Sequence, residues 1–248
     1  MDLLQSLTLG FIQGTTEWFP ISSTGHLRIA EHFFGLSVPT LYDVLLHFGT
    51  LLVTLVFFRK DIINILKALV HRNFSSADGK LIVPIILGSI PTAIIAFLWG
   101  DHLDALSSLP MLAAGFIVSG VLLLASKFSK ERKGAIDMPT ALLIGVMQGL
   151  AVIPAISRSG ITIAVMLLLC IKRDLAFKFS FVLLIPAVFG ALGLQLYQEG
   201  NALALAGIGV TEVTAAAVVT VAVSFLALKL VQKSLAAKKF WLFSIYCF

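Results

Sequence analysis

Charge and cysteine are what this chain has least of. Only 12% of its 248 residues are charged, about half the share that covers a soluble globular domain, so the chain is not built to be solvated all round. Its two cysteines, Cys170 and Cys247, both fall in apolar stretches, which excludes a disulfide framework and a thiolate metal site. A basic n-region is missing as well: Met1 is followed by Asp2, and the first apolar stretch runs straight on into a polar motif. That stretch is expected to belong to the mature protein and not to a cleaved targeting signal. Lysine and arginine are absent from most of the length, since 16 of the 18 fall into the stretches 59–80, 127–133, 172–178 and 229–239. Short clusters separated by long apolar runs exclude a nucleic-acid-binding face and read as the cytoplasmic loops of a membrane protein.

Apolar length is what the chain has in excess. Hydrophobic residues make up 58% of it and its mean hydropathy is +1.01. Spans near 40–58, 81–99, 110–127, 174–198 and 208–230 each supply the roughly 20 residues that a bilayer crossing requires. The expected fold class is an all-α polytopic membrane protein, a single integral membrane domain over 1–248. The segments 2–35 and 137–171 differ from the crossings because Pro, Ser and Gly interrupt each in the middle, and both read as re-entrant helix pairs. Small residues such as Gly88, Ala93, Gly115 and Gly120 would let neighbouring helices approach closely.

These two interrupted segments are copies of one another. Gly10-Phe-Ile-Gln13-Gly14 followed by Pro20-Ile-Ser22-Ser23-Thr24-Gly25 recurs 135 residues later as Gly145-Val-Met-Gln148-Gly149 followed by Pro154-Ala-Ile-Ser157-Arg158-Ser159-Gly160. The chain is therefore expected to be an internal repeat, 1–134 and 135–248, each half a re-entrant pair plus about three crossings. With the basic stretches inside, the 100–109 connection carrying Asp101 and Asp104 lies outside. Three crossings separate the two motifs, so the pairs enter from opposite faces and the repeat has inverted topology. The last helix begins near Phe240 and is expected to be truncated or partial, because only nine residues remain for it.

Ionisable residues that topology does not explain gather at the two breaks. Gln13 and Glu17 are four apart and share a helix face. A carboxylate inside an apolar segment is costly and points to function. Alternatively, Glu17 is structural and paired with Arg158 or Arg28. Ser22, Ser23 and Thr24 sit where a half-helix begins; they are N-cap residues by type, and with unpaired backbone N–H groups and the helix dipole they also make an anion site suited to phosphate. His26, one turn further on, is close enough to reach the same anion. In the second copy Arg158 takes the position of Ser23, Val152 that of Glu17 and Ile161 that of His26. An arginine flanked by Ser157 and Ser159 offers paired donors to phosphate oxygens. His47 and Asp43 read as packing or pocket-lining residues, and Trp18 as packing or a contact to an apolar substrate chain.

The two motifs, with Phe179-Ser-Phe-Val-Leu-Leu-Ile-Pro186, resemble the undecaprenyl-diphosphatase (bacitracin-resistance) family of integral membrane phosphatases. That family carries E/Q-x-x-x-E running into P-x-S-S-T-G-H, and P-G-x-S-R-S-x-x-T. The resemblance implies a polyprenyl diphosphate substrate cut to the monophosphate and inorganic phosphate, recycling the lipid carrier for cell-wall glycan in the cell's inner or plasma membrane. It implies Glu17, Ser23, His26 and Arg158 as catalytic residues, with Ser22, Thr24, Gly25, Ser157, Ser159, Gly160 and Thr162 around the phosphates. A divalent metal, Mg or Ca, comes with the resemblance, and Gln13 and Glu17 are the residues expected to hold it. Ala155 stands where the pattern has glycine. Ser23 is the candidate nucleophile with His26 as base or acid; attack by water or by His26 remains open. The partners expected are the lipid substrate, the bilayer and, as a candidate, a second copy of the chain, with the site open to the outer, periplasmic face. A lipid or solute transporter of the same architecture is the competing reading.

Overall fold

Capping residues set most of the helix starts near the two motifs. In the computed structural model, which describes residues 1–99, 106–199 and 201–248, α1 (Leu3–Thr16) opens with a reciprocal bond pair between Asp2 and Gln5. Ser22 caps α2 (Ser23–Phe34), Asp137 caps α7 (Met138–Leu150), and Ser157 caps α8 (Arg158–Leu168). Each of these side chains satisfies a backbone N–H that the first helical turn leaves unpaired. At 11 to 14 residues, α1, α2, α7 and α8 are too short to cross a bilayer.

The long helices follow the apolar runs. α3 (Thr40–Phe57), α5 (Ile82–Trp99), α6 (Leu109–Ala125), α9 (Arg173–Glu199) and α11 (Val210–Ala236) supply the apolar lengths needed for five membrane spans. Their bounds match the expected spans except at α11, where Lys229 and Lys233 continue the helix to Ala236. Within the basic stretch 59–80 the chain forms α4 (Arg59–Val70), with Ile63, Leu66 and Val70 exposed. α10 (Ala202–Leu205) is a single turn, and α12 (Phe243–Cys247) follows a 3₁₀ turn that begins at the expected Phe240. Among the described residues there is no strand, only one bridge between Lys133 and Ile171. Asp101 and Asp104 lie outside the described residues.

Glycine determines which helices pair most closely. α1 lies on α11 and α7 lies on α5. A Cβ at Gly10 would stand 2.3 Å from the Ala216 carbonyl oxygen, and one at Gly14 would stand 2.6 Å from that of Thr220. On the other pair a Cβ at Gly145 would stand 2.1 Å from the Gly88 oxygen. The contact is sealed by hydroxyls: Thr220 Oγ1 donates to the Gly10 carbonyl (3.0 Å), Ser224 Oγ to that of Gly14 (3.3 Å) and Thr92 Oγ1 to that of Gly145 (2.9 Å). With no hydrophobic drive between helices in lipid, such close backbone approach is a main source of association. The interior is aromatic: buried Trp18 lies tilted against Phe181 at 5.0 Å, which meets Phe177 at 5.0 Å. Trp18 is thus a packing residue, fully buried.

The ends of the helix pairs gather at two places. Met1, Leu36 and Val38 meet Leu203, Ile208 and Val213 in one apolar cluster. The ends of the α7–α8 pair meet elsewhere, where Arg132 and Lys133 donate backbone N–H groups to the Cys170 carbonyl. There Arg173 pairs with Glu131, Lys178 bridges Asp61 (2.5 Å) and Asp78 (3.3 Å), and Lys127 lies over Trp241 (4.4 Å). These contacts join three of the basic stretches to one another and to Trp241, two residues past the fourth, at one end of the bundle.

The glycine contacts give a direct prediction. Gly145→Ala, which meets backbone that cannot rotate away, should lower stability by about 1–3 kcal/mol. Gly190→Ala, where nothing lies within 4 Å, should leave it unchanged or slightly raised. Thermal unfolding in detergent distinguishes the two; equal melting temperatures would refute the close-approach account.

Candidate active site

The two breaks touch each other. Gly25, in the first turn of α2, lies against Ala155, and Gly160, in the first turn of α8, lies against Pro20. Each turn is held from behind by a short polar contact. Ser119 of α6 donates to the Ala155 carbonyl (3.3 Å) and accepts from Ser157 N–H (2.9 Å), while Cys247 of α12 points its thiol at the Pro20 carbonyl (3.8 Å). The N-termini of α2 and α8, both rich in hydroxyls, are thereby brought into one place.

Glu17 lies at the centre. It follows the last turn of α1 and is 7% exposed. One carboxylate oxygen accepts from Arg158 Nη2 of α8 at 2.5 Å. The other accepts from Ser23 Oγ of α2 at 2.6 Å and Gln13 Nε2 of α1 at 3.3 Å, and faces His47 Nε2 of α3 at 3.3 Å. Groups from four helices therefore converge on one carboxylate, which offsets a burial cost of several kcal/mol for the charge. Ser159 Oγ also reaches the Glu17 backbone carbonyl, at 3.5 Å.

Two atoms of this cluster remain unsatisfied. Arg158 Nη1 and Gln13 Oε1 are buried and have no hydrogen-bond partner among the described residues. The guanidinium also sits over the Phe181 ring, 5.6 Å from its centroid, so its orientation is fixed by packing as well as by Glu17. A cation held on one edge and bare on the other is a preformed half-site for an anion. For a metal, Gln13 Oε1 and the Glu17 carboxylate are hard oxygen donors of the kind that Mg and Ca take. Among the described residues no three His, Cys, Asp or Glu side chains share a metal position, so a cation here would take its other ligands from water and phosphate oxygens.

The remaining expected residues divide into those that shape the site and those turned elsewhere. Ser22 and Ser157 accept from the N–H groups of Gly25 (3.3 Å) and Gly160 (3.1 Å), and Ser22 also meets Thr24 Oγ1 at 3.2 Å. Thr162 is fully buried behind Arg158, bonded to the Arg158 carbonyl (2.8 Å) and to Ser180 (2.7 Å). His26 does not touch Ser23. Its Nδ1 meets the Ser22 carbonyl at 2.7 Å and must carry a proton to do so, which leaves Nε2 to accept from Tyr246 OH at 2.8 Å.

Two contributors were not legible as such. His47 reaches Glu17 through the register of α3, with Nδ1 donating to the Asp43 carbonyl (2.8 Å), and the only signal in the sequence was an ionisable residue inside a crossing. Tyr246 carried no signal, because its partner is 220 residues away. Asp43 and Arg28 form a neighbouring network: Arg28 bridges Glu31 (2.9 Å) and Asp43 (3.0 Å), tying α2 to α3.

Ionisable groups buried where two interrupted helix pairs meet, inside a bundle of five apolar spans, define a multi-pass integral membrane protein with an enclosed polar site. Comparison with known proteins then fixes the family. Residues 6–248 match the family described as bacitracin resistance protein BacA, and the chain belongs to it. An undecaprenyl-diphosphatase of Desulfosudis oleivorans is 38% identical over 277 residues, covering all of this chain and 96% of its own. Those of Desulforapulum autotrophicum and Methanosphaera stadtmanae are 40% and 34% identical, each over all of this chain and 95% of their own.

Ala155 departs from the glycine of the family pattern, and its backbone is indeed left-handed, φ 66°. Its methyl group fills the space left by Gly25 and Gly115, so the residue is housed in spite of its conformation. Ala155→Gly relieves about 1 kcal/mol of backbone strain and gives up about 0.8 kcal/mol of methyl burial. Its melting temperature should match the parent within about one degree; a shift of about 2–4 °C either way would mean that one of these terms is absent.

Proposed function

We infer that this chain is an integral membrane phosphatase that hydrolyses undecaprenyl or a related polyprenyl diphosphate to the monophosphate and inorganic phosphate. This supplies carrier lipid for cell-wall glycan synthesis. The observation that carries the reading is the Ser23–Glu17–Arg158 chain: a hydroxyl on a carboxylate, and a half-bare guanidinium beside it, at the N-termini of two half-helices. A hydroxyl on a carboxylate beside a half-bare guanidinium supplies the nucleophile, base and phosphate clamp that hydrolysis needs together and transport does not, so hydrolysis is preferred over transport.

The terminal phosphate takes the free edge of Arg158 and the backbone N–H groups at the start of α2 and α8, with Ser22, Thr24, Gly25, Ser157, Ser159 and Gly160 shaping that cradle. Thr162 holds Arg158 from behind. Drawing Arg158 toward phosphate weakens its hold on Glu17, so the carboxylate gains basicity as substrate binds. Ser23 Oγ attacks the terminal phosphorus, its proton passes to Glu17, and the bond to the bridging oxygen breaks. The leaving polyprenyl phosphate departs as an anion that needs no proton near neutral pH. Water then attacks the phosphoserine, Glu17 returns the proton to Ser23 Oγ as the P–Oγ bond breaks, and inorganic phosphate leaves as dihydrogen phosphate carrying both protons of the water. His26, held by Ser22 and Tyr246, stands beside this path rather than on the serine. Mg or Ca, held by Glu17 and Gln13 with water and phosphate oxygens, would neutralise charge on the diphosphate when bound.

The architecture we propose is an inverted-topology repeat, 1–134 and 135–248, within one membrane domain. It is supported by the paired packing of α1 on α11 and α7 on α5 with glycines at matching positions, and by the ends of the two short-helix pairs gathering at opposite places. The convergence of the basic stretches supports placing that end in the cytoplasm, with substrate approaching from the outer face of the cell membrane.

Two measurements test these statements. Phosphate release from a polyprenyl diphosphate by the purified protein should be chelator-sensitive and should vanish in Glu17→Ala and Arg158→Ala. In Ser23→Ala it should fall below about a tenth of the parent rate, and a larger residue of activity would exclude a phosphoserine. A single cysteine at position 131 should be labelled from the cytoplasmic side and one at position 104 from outside; the reverse pattern would overturn the orientation.

A further inference from the structure

At the end of the bundle where the basic stretches meet, a cavity of about 370 Å³ lies between the 126–131 connection, the start of α9 and the turn at 238–241. It is separate from the site above. Leu167, in its wall, stands at the far end of α8 from Arg158, about 14 Å along the half-helix.

The cavity is cationic beyond what its own carboxylate can balance. Lys127, Lys130, Arg173 and Lys238 border it against Glu131 alone. Glu131 is already committed to Arg173, meeting both its guanidinium and its backbone N–H (3.2 Å), where it caps α9. Lys127 lies over the Trp241 ring. Lys130 and Lys238 are exposed and form no ion pair among the described residues. A second and independent feature is Ser129, a half-buried residue in its lining whose hydroxyl oxygen has no hydrogen-bond partner among the described residues. Cations gathered beside an unused hydroxyl donor suit a group with several anionic oxygens, which is phosphate.

The surroundings point to phosphate carried on a lipid. The cavity opens where the span Leu109–Phe128 ends and where α9 and α11 reach their basic termini. Trp241 and Phe240 form its wall and Phe128 stands 76% exposed beside it. Aromatic and lysine side chains together mark headgroup depth, and basic pockets between helices at that depth take anionic headgroups. We propose that this cavity binds the phosphate of an anionic phospholipid headgroup, at a site distinct from the one that cleaves diphosphate.

The test reads binding and not turnover. The purified full-length chain in neutral detergent is offered phosphatidylglycerol or phosphatidylcholine and examined by native mass spectrometry, beside the double variant Lys130→Gln/Lys238→Gln and the single variant Ser129→Ala. The parent should retain one phosphatidylglycerol in preference to phosphatidylcholine. The lysine variant should retain it about thirtyfold less, as expected for two charges at about 1 kcal/mol each, with its melting temperature and detergent activity unchanged. Ser129→Ala keeps every charge and should also lose retention, so it decides the matter if the lysine variant does not fold. Equal retention of the two lipids, retention unchanged in both variants, or displacement by millimolar inorganic phosphate alone would each overturn the proposal.

Discussion

The ion pair between Glu17 and Arg158 is the interaction on which the arrangement of this molecule turns. It joins the end of α1 to the start of α8, two segments that never meet in sequence, and it does so where neither partner is well hydrated. A lone carboxylate or guanidinium at that depth would be strongly unfavourable, so each charge is tolerable only because the other is in place. The pairing therefore fixes how the two breaks face one another. It also accounts for the supporting contacts: Ser23, Gln13 and His47 finish the solvation of one carboxylate, and Phe181 supports the guanidinium from its face.

Around that pair the molecule solves one packing problem twice. A half-helix that ends inside the bundle leaves polar backbone that lipid cannot satisfy, so protein must cover it. Ser22 and Ser157 cap the two starts, Ser119 and Cys247 back the two turns, and glycines at matching positions bring the supporting long helices into contact. The copies keep the glycines and the capping serines and diverge at the positions where chemistry is concentrated. One carries carboxylate, hydroxyl and imidazole, and the other contributes the guanidinium. Identical halves could not supply both the acidic and the basic side of one site.

This division has a consequence for reactivity. Glu17 is held by a cation at rest and can act as a base only when that cation is drawn to something else. In the mechanism we propose, a phosphate that engages the bare edge of Arg158 would do this, so binding and activation of the serine would be a single event. In this geometry His26 is not needed to take the serine proton. Its ring is turned to Tyr246 and stacked on it, 5.6 Å between centroids, which places it at the margin of the site where a phosphate chain would pass.

Read alone, the sequence determined the five spans, the two interrupted pairs and the residues that were to be brought together, though not α4 in the basic stretch, because apolar length, capping residues and broken periodicity are local properties. It also exposed Glu17 and Arg158, since a charge in an apolar segment is conspicuous wherever the chain folds. What it could not give was partnership. The choice of Arg158 over Arg28 for Glu17, the contact of His47 with the same carboxylate, and the turning of His26 toward Tyr246 depend on helix rotation and register. So does the housing of Ala155 between two glycines. Those are decided only when backbones close to within a few ångströms of one another, and the distances that fix them run between residues 30 to 220 positions apart.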